Sequence, residues 1–187
     1  MVKLNRIYTR TGDEGTAGLV DGSRVSKAGV RMAAIGEVDE ANSALGVSIS
    51  ALEAGGHDAT AFRRIQHDLF DLGADLATPE GIDGALRIVE TQVHRLEAEI
   101  DDANASLEPL TSFLLPGGSA GVAHLYYTRA VVRRAERAAV ALNEVEPVNA
   151  HALAYLNRLS DHLFVAARAI AAAEGGDILW TPGANRD

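Results

Sequence analysis

The sequence predicts an all-α protein, a five-helix up-and-down bundle preceded by a structured loop. Three observations carry this. Segments with apolar residues three and four apart recur along the chain, each bounded by glycine, proline or a capping residue. Alanine is abundant while aromatics make up 5%, which suits helices packed closely through small side chains. The strand signal is negligible. With 187 residues the chain suits one domain that folds without disulfides or metal. It divides into a loop at 1–27, a bundle at 28–174 and a tail at 175–187.

Taken in order, residues 1–27 are rich in Gly, Thr, Asp and Arg and keep no period of 2 or 3.6, so they read as a loop. The first helix is expected from Ala28 to Leu52, stopped by Gly55-Gly56. The second runs from Ala59 to Leu76, capped by Asp58 and ended before Pro79. Val89, Val93, Leu96 and Ile100 mark a third from Leu86 to Ala103. Pro116-Gly117-Gly118 is the sharpest punctuation, after which Ser119 caps a fourth helix from Ala120 to Asn143. The fifth runs from Asn149 or Ala150 to Glu174, stopped by Gly175-Gly176.

Composition excludes several function classes. There is no cysteine, hence no disulfide, thiol nucleophile, iron–sulfur cluster or Cys-bound zinc. Lys and Arg total 17 against 26 Asp and Glu, a net charge of −9, which disfavours nucleic acid and anionic membranes as partners. The N-terminus lacks the apolar core of a secretory signal. The longest apolar stretch, Leu163 to Ala173, contains Arg168 and is far short of a membrane span. The expectation is a cytoplasmic protein. The six His are scattered, and neither His-Glu-x-x-His, a di-iron Glu-x-x-His pair, a Gly-x-Ser-x-Gly elbow nor a P-loop is present. Glu90 with His94 reads as a surface couple. Asp68, Asp71 and Asp75 read as a solvated acidic stripe rather than a metal site.

The chemistry concentrates on the last two helices. Leu125, Thr128, Val132, Ala135, Ala139 and Leu142 form an apolar stripe on the fourth, flanked by Arg129, Arg133, Glu136 and Arg137, while Arg134 points elsewhere. Arginines on one flank repel unless an anion or carboxylates lie among them. The row fits a solvated face, an intersubunit salt-bridge row or an anion site. On the fifth helix Asn157, Asp161 and Arg168 share one flank, so both helices set polar residues at the edge of the core. Gly12-Asp13-x-Gly15 suits either a plain turn or a phosphate cradle, with Lys27 as a point charge.

Five blocks in order resemble the PduO-type ATP:cob(I)alamin adenosyltransferases: Tyr8-Thr9-Arg10-Thr11-Gly12-Asp13-Glu14-Gly15, Gly36-Glu37-Val38-Asp39-Glu40-Ala41-Asn42-Ser43, Phe113-Leu114-Leu115-Pro116-Gly117-Gly118, Arg133-Arg134-Ala135-Glu136-Arg137 and Asn157-Arg158-Leu159-Ser160-Asp161-His162-Leu163-Phe164. The resemblance spans about Ile7 to Ile170. It implies a homotrimer with sites between subunits, and transfer of the 5′-deoxyadenosyl group of ATP to the cobalt of cob(I)alamin with release of triphosphate. On that pattern Thr9, Arg10, Thr11, Gly12, Asp13, Gly15 and Lys27 hold the nucleotide, and Mg²⁺ enters with the ATP phosphates. Arg133, Arg134, Glu136, Arg137 and Asn157 complete the ATP site. Arg133, Phe113 and Asp161 carry catalysis, Phe113 closes the lower face of the corrin, and Asp39 with Arg129 forms an intersubunit pair. A cobalamin reductase and an adenosylcobalamin-dependent mutase are the implied partners. The sequence departs from the pattern at Ala17, where the family usually has Ser or Thr, with Thr16 as the candidate substitute. Two other readings stand beside this one: a non-catalytic ATP- and cobalamin-binding trimer for sensing or delivery, and a purely structural trimer.

Overall fold

The computed structural model describes residues 7–186; residues 1–6 and Asp187, which belong to the expected loop and tail, lie outside the described residues. Five helices dominate it: α1 (Val30–Ala54), α2 (Thr60–Leu76), α3 (Glu90–Asn104), α4 (Ala120–Asn143) and α5 (Ala150–Ala173). Their buried stripes meet in one core around Leu45, Leu52, Leu69, Leu72, Leu125, Leu142 and Leu156. Every residue of the stripe expected on α4 is fully buried.

Cross-helix contacts set the directions. Glu37 and Glu40 meet Arg134 while Ser48 meets Thr128, so α1 and α4 are antiparallel. Tyr126 faces Phe164 while Asn157 bonds Glu136, so α4 and α5 are antiparallel too. Ile88 meets Asn149 and Glu97 meets Arg158, so α3 and α5 run parallel as neighbours. The result is the expected up-and-down bundle. One end gathers the start of α1, the end of α2 and the end of α4. The other gathers the start of α4, the end of α5, the 105–119 connection and the tail.

Four expectations need correction. Residues 16–26 contain a small antiparallel hairpin, β1 (Thr16–Gly18) and β2 (Arg24–Ser26), although no strand was expected. Strands of three residues are too short to show a period of two. Helix α1 starts at Val30, with Gly29 as an extended cap. Helix α3 starts at Glu90 because Ile88 N–H donates to Asp75 Oδ2 at 2.8 Å and Arg87 is tied to Asp75 and to the carbonyls of Thr78 and Pro79. Those bonds keep 86–89 out of the helix. The acidic stripe is not solvated: Asp68 and Asp75 are buried, each ringed by donors. The cap expected at Ser119 is present, whereas the N-cap position of α2 is Ala59, one residue after the expected Asp58. Ser119 Oγ accepts from Val122 N–H, and Asp58 accepts from both the N–H and the hydroxyl of Thr60.

Candidate functional site

The N-terminal loop is a set of tight turns. Asp13 N–H donates to Arg10 O, Gly15 N–H to Gly12 O, and Lys27 N–H to Gly15 O at 2.8 Å. Arg10 sits at φ 61° and Gly15 at φ 77°, the left-handed region that glycine enters freely and other residues enter at a cost. A Cβ on Gly12 would lie 2.9 Å from Lys27 Nζ, so glycine there lets the ammonium close over the loop. Thr9 and Thr11 share a hydroxyl hydrogen bond of 2.8 Å, and the Arg10 guanidinium lies over Tyr8 at 5.8 Å. The loop therefore brings together Thr9, Arg10, Thr11, Gly12, Asp13, Gly15 and Lys27.

Sequence reasoning missed Arg24, which clamps this loop. Its Nη2 donates to Thr11 O at 2.6 Å and to Thr16 Oγ1 at 2.7 Å, and its Nε also reaches Thr16 Oγ1. Thr16, the candidate substitute for the missing hydroxyl at Ala17, is thus engaged within the loop. The signal was a basic residue eight positions on, across a hairpin that the periodicity did not show.

On α4, Arg129, Arg133 and Arg137 form one row, about 12 Å from first to last at 1.5 Å per residue. Among the described residues none of the three makes an ion pair, although ion pairs are plentiful elsewhere on the chain. Arg133 and Arg137 are exposed, and Arg137 donates to the Arg133 carbonyl at 3.0 Å. Arg129 is half-buried over the Phe164 ring at 5.3 Å, and its Nε is buried without a partner. Burial and the neighbouring Arg133 charge pull its pKa below the usual guanidinium value, with Asp161 opposing. Glu136 accepts from Asn157 Nδ2 at 2.8 Å, joining α4 to α5 beside the row. Arg134 lies on another flank, held by Glu37 and Glu40 of α1, which raise its pKa.

The row begins in a cavity of about 650 Å³ lined by Phe113, Leu114, Tyr126, Arg129, Phe164 and Trp180. Phe113 is 77% exposed, so its ring is free of the core. Burial and, next, the Asp177 charge push the Tyr126 hydroxyl up to about 12, keeping it neutral. Trp180 comes from the tail, which sequence reasoning left without a role.

The chain does not unite all the expected residues. No hydrogen bond or ion pair joins the loop to α4 or α5 among the described residues; Val20 N–H instead reaches Ala77 O, at the end of α2. Asp39 lies on α1 in a separate groove with Met32, Ile35 and Phe70, and does not meet Arg129 within one chain. Among the described residues no three His, Asp or Glu side chains gather as a metal site, and no helix is long and apolar enough to cross a membrane.

The helical bundle thus carries a glycine-turned loop, arginines that are unpaired among the described residues, and a roomy apolar cavity where their row begins. The comparisons specify the class. A family model described as cobalamin adenosyltransferase matches residues 7–170. The corrinoid adenosyltransferase of Mycobacterium tuberculosis is 48% identical over 194 residues, covering 99% of this chain and 97% of its own. The cobalamin adenosyltransferase of Cupriavidus metallidurans is 47% identical over 179 residues, covering 95% of each. Among solved structures, a phenylalanine-to-alanine variant of a PduO-type ATP:corrinoid adenosyltransferase from Lactobacillus reuteri, complexed with cobalamin and ATP, superposes with a TM-score of 0.86 at 35% identity. It covers 94% of this chain and 99% of its own. The chain belongs to the cobalamin adenosyltransferase family, whose members are transferases.

Proposed function

We propose that this protein transfers the 5′-deoxyadenosyl group of ATP to the cobalt of cob(I)alamin, forming adenosylcobalamin and releasing triphosphate. The observation that carries the reading is the arginine row, unpaired among the described residues, that starts inside the apolar cavity. A corrin offers a broad apolar face and the ATP phosphates offer the missing anions. The cobalt lone pair attacks C5′, the C5′–O bond breaks, and the electrons leave on triphosphate. Cob(I)alamin is itself a strong nucleophile, so no general base is required. The protein positions the two substrates, a contribution of up to ~7–11 kcal/mol in favourable cases. Arg133 and Arg137 stabilise the leaving group electrostatically.

The nucleotide site is completed between copies. Among the described residues no hydrogen bond or ion pair joins the loop to the row, and the Nε of Arg129 is buried without a partner; both support a closed trimer in which Asp39 of a neighbouring copy meets Arg129. Mg²⁺ enters on the ATP phosphates. The protein works in the cytoplasm, with a cobalamin reductase upstream and an adenosylcobalamin-dependent mutase downstream.

The test mixes protein, ATP, Mg²⁺ and reduced cobalamin and follows the absorbance of adenosylcobalamin. Product formation is expected. Binding of both ligands without product would favour the sensing or delivery reading, and binding of neither would favour the structural one. Phe113 refines the test. If its ring closes the lower corrin face, Phe113→Ala should fail mainly from cob(II)alamin plus reductant and far less from prepared cob(I)alamin. Equal loss from both would remove the lower-face role.

A further inference from the structure

Opposite the side chains of α4 and α5, the cavity wall is completed by two segments that are distant in sequence. One is 108–116, which carries Phe113; the other is the tail, which carries Trp180 and Pro182. Leu114 and Leu179 form an antiparallel bridge. Leu115 N–H donates to Ile178 O and Trp180 N–H to Phe113 O, both at 2.8 Å, while Ser112 Oγ donates to Trp180 O at 2.7 Å. The rings of Phe113 and Trp180 lie 6.0 Å apart, tilted by 59°.

Both segments are rooted on one guanidinium. Arg168 of α5 donates through Nη2 to Glu108 O at 2.8 Å and through Nε to Asp177 Oδ2 at 2.9 Å. Its side chain is 8% exposed and that of Asp177 16%. Glu108 stands five residues before Phe113, and Asp177 three before Trp180. Arg168 itself does not line the cavity. A buried charge held by a carboxylate and a carbonyl is costly to leave half-paired, which makes this a firm hinge point for two otherwise exposed segments. Without it the two-segment wall is held by its short bridge, the Ser112–Trp180 hydrogen bond and the ring contact.

We propose that Arg168 and Asp177 are positioning residues that lock the tail onto the 108–116 segment, so that Trp180 braces the Phe113 ring and shapes the corrinoid side of the cavity. This goes beyond the proposed transferase reading and rests on it only for the corrinoid readout. ATP binding lies outside the latch, because the loop and the outer arginines are held by other elements.

The test uses the full chain and two readouts. Trp180 is the only tryptophan, so its emission reports the tail directly. In Asp177→Asn and Arg168→Lys, helicity and ATP affinity should be retained, while Trp180 emission shifts to the red and becomes more accessible to acrylamide. The apparent KM for cobalamin should rise about tenfold or more, with a smaller change in the KM for ATP. Trp180→Ala should reproduce the cobalamin defect without touching the ion pair. Should either polar variant fail to fold, Trp180→Ala and the wild-type fluorescence decide alone: quenching of Trp180 on adding cobalamin is expected. The proposal is overturned if Asp177→Asn leaves Trp180 emission unchanged, if freed Trp180 leaves the cobalamin KM unchanged, or if ATP and cobalamin affinities fall together. If the wild-type protein shows no transfer, cobalamin binding replaces KM. The fluorescence arm then still judges the latch, separately from the catalytic reading.

Discussion

Arginines on two sides of this bundle have opposite surroundings. On the α2–α3–α5 side they meet carboxylates of their own chain. Asp75, 1% exposed, accepts from Arg87 at 2.7 Å, from Ile88 N–H and from Asn149. Asp68 accepts from Arg95, Gln92 and the Tyr155 hydroxyl, and burial pushes the Tyr155 hydroxyl pKa up. On the α4 flank Arg129, Arg133 and Arg137 make no ion pair with a carboxylate among the described residues, and Asp161 is the only carboxylate whose charge reaches Arg129. The same residue type is structural where the chain supplies the counter-charge, and available to a ligand or a second copy where it does not. The sign and depth of the partner decide the role, rather than the arginine itself.

The largest expected effects break this contrast from each side. Asp75→Ala removes the shared buried acceptor of a half-buried guanidinium, a backbone N–H and an amide. Breaking such a pair typically costs ~3–5 kcal/mol. The urea midpoint should fall steeply with the slope unchanged, and folded molecules should still bind ATP. Arg133→Ala should do the reverse. Loss of a charge-assisted phosphate contact costs ~2–5 kcal/mol in the rate of transfer, well over tenfold, while the urea midpoint stays close to wild type. Near-normal activity in Arg133→Ala would move that arginine to the structural side.

The next effect tests whether a second copy supplies what the flank lacks. The protein should scatter light as about three times its 19.7 kDa chain. Arg129→Glu, set against Asp39 of a neighbour, should shift it toward smaller species. Adding Asp39→Arg should recover part of the assembly, because a close charge pair couples by at least ~1.5 kcal/mol. Dissociation equally complete in the double variant would show that the two residues do not meet.

Much of this contrast was legible in the sequence, and the remainder was hidden for definite reasons. The helices announced themselves through glycine pairs, Ser119 and 3.6-residue periodicity, and the row of Arg129, Arg133 and Arg137 is a single-helix pattern. What failed were judgements that needed a partner arriving from a distant connection of the chain. Asp68 and Asp75 look like a solvated stripe on a wheel, because Arg95 and Arg87 arrive from beyond a long connection. Arg24 acts across a hairpin too short to show a period. Trp180 gains meaning only when the tail folds back on Phe113. A helical wheel records which face a residue occupies, whereas the partner on that face depends on topology.

The smallest effect tests the carboxylate rule within the structural side. Glu99 of α3 accepts from His162 Nε2 at 2.8 Å and faces Arg64 and Arg95. The His162 hydrogen bond, joined by the charges of His162, Arg64 and Arg95, lowers its pKa below the usual 4.5 despite partial burial. A carboxyl whose folded pKa is depressed contributes stability that is fully present above its unfolded value. That contribution is lost as pH falls through the folded value. Glu99→Gln should therefore cost about 1–2 kcal/mol at pH 5.5 to 7, the scale of a hydrogen bond to a charged group. The gap from wild type should begin to close below about pH 4.5, where the unfolded chain starts to bind the proton, and should go on closing until the pH has fallen through the lower folded value. Urea unfolding of both proteins from pH 5.5 to 3 reads this directly. A gap that stays constant across that range would mean that Glu99 contributes through shape and neutral hydrogen bonding. The structural side would then owe less to carboxylates of its own than the buried Asp68 and Asp75 suggest.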